Sequence, residues 1–152
     1  MKKLFCLCLA AIMLLFLVSC GEEIDVERAD KLSRDFINAI LSRDAGKINV
    51  LAHPEAKDTF ENDEFYETLT KNYLIEKGDT LTSLYATGKR YSENETLGGK
   101  VIICDFVAFI DELAYDASVT ILQNDEYYGV IGFSINFAAS EEISGYYNVS
   151  EE

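Results

Sequence analysis

The chain holds 152 residues, with 13 Lys and Arg against 27 Asp and Glu, one His, four Cys and a formal net charge of −14. Such acidity excludes nucleic acid as a partner, because binding it depends on neutralising phosphates with Lys and Arg. One His beside so few Cys leaves thiolate-based metal sites short of ligands, and nothing in the composition calls for a metal or a cofactor.

In chain order, Lys2 and Lys3 precede Leu4 to Val18, fifteen residues without a charged side chain. Crossing hydrocarbon takes about 20 apolar residues. The run is too short for that, and its basic head, apolar middle and small-residue exit are the three parts of an export signal. The exit, Leu17-Val18-Ser19-Cys20, resembles the lipobox of bacterial lipoproteins. That resemblance implies that the Cys20 thiol takes a diacylglyceryl group, that residues 1–19 are cut away, and that the new amine gains a further acyl chain such as palmitate. Two or more chains hold a protein stably to a bilayer where one does not. The mature chain is then a membrane-anchored protein of the cell envelope, facing away from the cytoplasm. Gly21 stands where an aspartate would resemble an inner-membrane retention signal, so a source with two membranes would sort the protein to the outer one.

Cys6 and Cys8 leave with the signal and Cys20 is modified, so Cys104 alone remains, and no internal disulfide can form. It lies within the apolar "VIICDFVAF" and reads as a small buried hydrophobe. Removing residues 1–19 takes two lysines and no acid, leaving 11 basic against 27 acidic residues and a formal charge of −16. That charge keeps the body soluble and off anionic headgroups. Glu61-Asn62-Asp63-Glu64 and Gln123-Asn124-Asp125-Glu126 lack the alternation of a calcium loop and read as a helix cap and a turn.

A short tether, residues 20–25, leads to one domain, residues 26–138. Ala29, Leu32, Phe36, Ile37, Ile40 and Leu41 recur at spacings of three and four, which predicts an amphipathic helix. A second helix is expected from Ala45 to Ala52, capped by Asp44 and stopped before His53-Pro54. The third is placed from about Asp63 to Lys77, capped by Asn62, burying Phe65, Tyr66, Leu69 and Tyr73, and ended by Gly78.

After Gly78 the apolar period falls to two and β-branched content rises, giving four strands: Thr80 to Ser92, Lys100 to Ile110, Leu113 to Leu122 and Tyr127 to Phe137. The second is apolar on both faces and so central. In the third, Leu113, Tyr115, Ala117, Val119 and Ile121 face one way while Asp116, Ser118 and Thr120 face the other. Gly129 and Gly132 are natural points for bending or bulging the fourth. Short links predict antiparallel hairpins. Residues 139–152 form an acidic tail whose Tyr146-Tyr147 pair can fold back on the body.

The expected fold is therefore α+β, with three helices packed on a curved, cone-like antiparallel sheet of about four strands. The carriers Phe36, Ala39, Ile40, Asp44, Ile48, Leu51 and Pro54, followed by long hairpins through Phe137, resemble the nuclear transport factor two-like superfamily, which includes ketosteroid isomerases. The resemblance implies a pocket at the cone's wide end. An isomerase there would need a carboxylate base and a tyrosine donor.

Asp105 shares strand parity with Ile103 and Val107 and is the candidate base if it projects inward, where burial would raise its pKa. Tyr85, Tyr91 and Tyr115 are the candidate donors. His53, before Pro54, reads as a solvated or capping residue rather than a general base. The favoured reading is a non-catalytic binding or interaction module for an envelope protein or a small apolar ligand. Nine tyrosines and nine phenylalanines supply its surfaces. In "EYYGVIGF" and "SGYYN" one ring of each pair must face outward. If Phe106 and Phe109 fill the pocket, the protein interface is what remains.

Overall fold

The computed structural model describes residues 25–139. The export signal, Cys20 with its tether, and the Tyr146-Tyr147 pair lie outside the described residues. The sequence predicts three helices and four strands; the described residues form four α-helices, one 3-10 turn and a four-stranded sheet.

Helix α1 (Val26–Ser42) begins where the Asp25 carboxylate accepts the Arg28 N–H at 3.0 Å. It buries Ala29, Phe36, Ile37, Ile40 and Leu41, the stripe its spacing defines. Helix α2 (Ala45–Leu51) starts on Asp44, whose side chain accepts from the Lys47 N–H at 3.1 Å, as expected. Pro54 then does more than stop α2. It opens a 3-10 turn (Pro54–Ala56) that runs into helix α3 (Lys57–Glu61), two elements the sequence reading left out. Proline fits the first helical position because that N–H lacks an intrahelical partner anyway.

Helix α4 (Asp63–Tyr73) is capped by Asn62 as expected but ends four residues before Lys77. Leu74 turns left-handed at φ 59°, and the Ile75 N–H reaches back to the Leu69 carbonyl at 3.1 Å. The Thr70 hydroxyl donates to the Ile75 carbonyl at 3.0 Å, and Ile75 enters the core. Gly78 therefore serves a turn, at φ 99°, where its N–H bonds the Leu41 carbonyl and ties that turn to the end of α1.

Strands β1 (Leu81–Glu93), β2 (Lys100–Ile110), β3 (Leu113–Gln123) and β4 (Tyr128–Phe137) pair antiparallel in sequence order, with β2 and β3 central. On the helix side Ile102, Cys104, Phe106 and Ala108 lie opposite Ile121, Val119, Ala117 and Tyr115. All eight belong to the core cluster, together with Phe36, Ile37 and Phe60 from the helices. Phe36 meets Phe60 edge-on at 4.8 Å and Phe133 at 6.0 Å, pinning α1 to α3 and β4. Val101, Val107 and Leu122 point to the other face and are buried outside that cluster.

The two glycines of β4 have different work. Gly132 flanks the register shift that leaves Ile131 unpaired against β3, a bulge. Gly129 makes room: a Cβ there would lie 2.7 Å from the His53 backbone nitrogen. The close approach comes from Ala52 and His53, which run beside β4 and place the His53 N–H 2.8 Å from the Val130 carbonyl.

Candidate functional site

Asp105 stands at the middle of β2, between Gly88 on β1 and Ser118 on β3. Its neighbours Cys104 and Phe106 take the helix side, so its carboxylate lies on the opposite face. There the Arg90 guanidinium donates from Nε to Oδ2 at 2.9 Å and from Nη2 to Oδ1 at 2.8 Å, and the Ser118 hydroxyl donates to Oδ1 at 2.6 Å. Arg90 foremost, then Ser118, hold the carboxyl below the usual aspartate range against the opposing pull of partial burial. The inward projection and raised pKa that a base at Asp105 would require are therefore both absent.

The candidate donors are dispersed. Tyr115 is 1% exposed on the helix side, and its hydroxyl donates to the Tyr73 carbonyl at 2.8 Å. Burial pushes that phenol up, with the charges of Asp79 and Asp111 adding to the effect. Tyr85 shares the face of Asp105, opposite Val107, with its ring edge-on to Phe109 at 6.0 Å. Tyr91 is exposed near the end of β1. Asp105 and Tyr115 thus occupy opposite faces of the sheet and form no dyad.

Phe106 and Phe109 are likewise split between the two faces. Phe106, Phe36, Tyr115, Ile102 and Ile121 are all fully buried in the layer where a cone pocket would open. His53 caps through Nδ1, which accepts the Glu55 N–H at 3.3 Å, yet it is buried rather than solvated. Tyr127 is the outward ring of its pair, while Tyr128 lies half-buried with the Arg28 guanidinium 4.0 Å over its ring.

A polar seam runs between α1 and the sheet. Lys89 donates to Asp30 Oδ2 at 2.8 Å, while Asp30 Oδ1 and the Tyr128 hydroxyl are buried without hydrogen-bond partners. Burial raises the Tyr128 phenol to about 12. Cys104, opposite Lys89, is a free, fully buried thiol pushed up by burial, matching its reading as a small hydrophobe.

Three grooves open on the surface of the described residues. One of about 550 Å³ between α1 and α2 mixes Asp35, Asp44 and Lys47 with Val50. A second, of about 450 Å³, lies among Arg43, Asn49, Glu61 and Tyr66. The third, of about 660 Å³, is at the end of the sheet, where the close of α4 meets the turn between β2 and β3. Leu74, Leu113 and Tyr115 line it, and Asp79, Asp111 and Glu112 form its rim. Phe137 stacks on Tyr115 at 5.3 Å beside it. Asp105 lines none of the three.

The terminal groove gathers exposed apolar surface. Leu74 is 62% exposed, Phe137 48% and Leu113 40%. Leu74 is presented by a left-handed backbone that disfavours residues carrying a Cβ, a cost the surrounding structure must offset. The sequence reading missed this site because its parts come from α4, the loop before β1 and a two-residue turn.

Among the described residues no helix is long and apolar enough to cross a membrane, and no group of three or more His, Cys, Asp and Glu is placed to hold a metal ion. Compared with models of known protein families and with curated proteins, the chain matches none.

Proposed function

We propose that the mature protein is a lipid-anchored interaction module of the bacterial cell envelope, tethered through diacylglyceryl Cys20 and engaging a partner protein through its terminal groove. The observation that carries this reading is the meeting of exposed Leu74 and Leu113 in one groove, with exposed Phe137 stacked on Tyr115 beside it. Scattered surface leucines are ordinary, whereas grouped ones mark contact sites. Dense packing around Phe106 supports a protein interface over a small apolar ligand. Engagement of Asp105 by Arg90 and Ser118 weighs against the isomerase-type alternative, because those donors stabilise the carboxylate and weaken it as a base.

The order of helices followed by four sequential antiparallel strands supports the resemblance to nuclear transport factor two-like domains. The lipobox at residues 17–20 supports the anchor, and Gly21 supports the outer membrane where the source has two. Replacing Cys20→Ser should release the chain from membranes into the soluble fraction. Leu74→Asn should leave it anchored and folded but lower recovery of its cross-linked partner from native membranes. Undiminished recovery would refute the groove as the docking surface.

A further inference from the structure

We infer that the terminal groove receives a cationic, amphipathic segment of another protein, with apolar side chains against Leu74 and Leu113 and Lys or Arg against the rim of Asp79, Asp111 and Glu112. This rests on the reading above that the groove is a docking surface and adds the chemistry of the partner.

Charge decides the class. The apolar floor is ringed by three carboxylates contributed by two separate loops. Asp79 approaches from the loop before β1, and Asp111 and Glu112 from the β2–β3 turn, so negative charge flanks the space an occupant would fill. An occupant must therefore carry positive charge or desolvate these carboxylates without a countercharge.

The rim is also fixed in advance. Asp111 donates its N–H to the Thr80 carbonyl at 2.9 Å, and its Oδ1 accepts the Thr80 N–H at 3.1 Å. Asp79 Oδ2 accepts the Glu76 N–H at 2.7 Å. These bonds hold the two loops together, so little order has to be gained on binding.

Two other occupants fit poorly. The chain's own residues 140–152 carry four Glu and no Lys or Arg, so they would meet the rim with like charge. An anionic lipid surface would be repelled in the same way.

The test titrates the full lipidated chain, in detergent, into a fluorescein-labelled peptide of alternating lysine and leucine and reads anisotropy. A glutamate-leucine peptide is the control. Leu74→Asn keeps a residue that accepts left-handed backbone, so it removes apolar surface without endangering the fold. It should weaken binding by about tenfold or more, the effect of losing a central contact. Asp79→Asn with Glu112→Gln should do the same. The charge-matched pair Glu55→Gln with Asp58→Asn, exposed on other elements, should leave affinity within about twofold.

Equal losses from the remote pair would mean bulk attraction and overturn the inference. Binding that appears only after residues 140–152 are removed would assign the groove to the tail and overturn it as well. If the full chain ignores the peptide while Leu74→Asn still severs a native membrane partner, the groove reading survives and the cationic assignment falls.

Discussion

Asp105 and Arg90 meet diagonally across neighbouring strands, joined by two hydrogen bonds of 2.8 and 2.9 Å in the side-by-side geometry that a carboxylate and a guanidinium share. The pair converts the one acid within β2 from a candidate base into a clasp between β1 and β2. Because the folded pKa lies below the ordinary aspartate value, the clasp adds stability above about pH 4. That contribution disappears as pH falls through the lower folded value. Asp105→Asn should therefore lower the urea midpoint at neutral pH, and the difference from the parent chain should shrink below about pH 4. A midpoint difference that grows with acidification would contradict the assignment.

Gly129 tests the approach of His53 to β4. A Cβ there would sit 2.7 Å from the His53 nitrogen and 3.0 Å from its Cα, both backbone atoms that cannot swing aside. Gly129→Ala should cost about 1–3 kcal/mol, the range for forced overpacking. Gly132→Ala meets only the Thr120 side chain at 3.3 Å and should cost less. Urea denaturation of the two variants gives the order directly.

Leu74→Asn should hold the stability of the domain or raise it by up to about 1 kcal/mol, by relieving a left-handed leucine whose side chain is mostly solvent-exposed. Thermal unfolding of the variant checks this. A large loss would show that Leu74 is a packing residue and not a presented one.

Thiol counting reads two residues together. In the native fold Cys104 is buried with its pKa raised, so a thiol reagent at mildly alkaline pH should react slowly. On the proposed anchor, which would cap Cys20 as a thioether, the membrane-extracted chain should yield one thiol in denaturant. Two thiols would mean that Cys20 is bare.

Much of the fold was legible because local chemistry and global packing agree in α1, α2 and the strands. Caps at Asp44 and Asn62, the stripe Ala29 to Leu41 and the alternation after Leu113 each name one structure only. Errors fell where one residue serves two rules. Pro54 ends α2 and also begins the next turn, so its stop signal concealed a start. Leu74 continues the apolar spacing of α4, and no glycine or asparagine marks its left-handed turn.

The face of Asp105 was undecidable from β2 alone, since that strand is apolar on both sides. What settles it is the bonding of its carboxylate to Ser118, its partner on β3, and to Arg90 on β1. Parity likewise showed that one of Tyr127 and Tyr128 must face outward without saying which. The groove was invisible for a further reason. Leu74 is far along the chain from Asp111 and Tyr115, and nothing in its local spacing announces that the end of α4 meets the β2–β3 turn.

The most direct measurement places a photo-cross-linking side chain at Leu113 in the groove, or at Val50 on the α1–α2 side, and irradiates intact cells. Position 113 should give a discrete higher-mass adduct that Leu74→Asn diminishes, while position 50, more exposed at 81%, should give none. Adducts of equal yield at both positions, or none at 113, would contradict the assignment of the terminal groove as the docking surface.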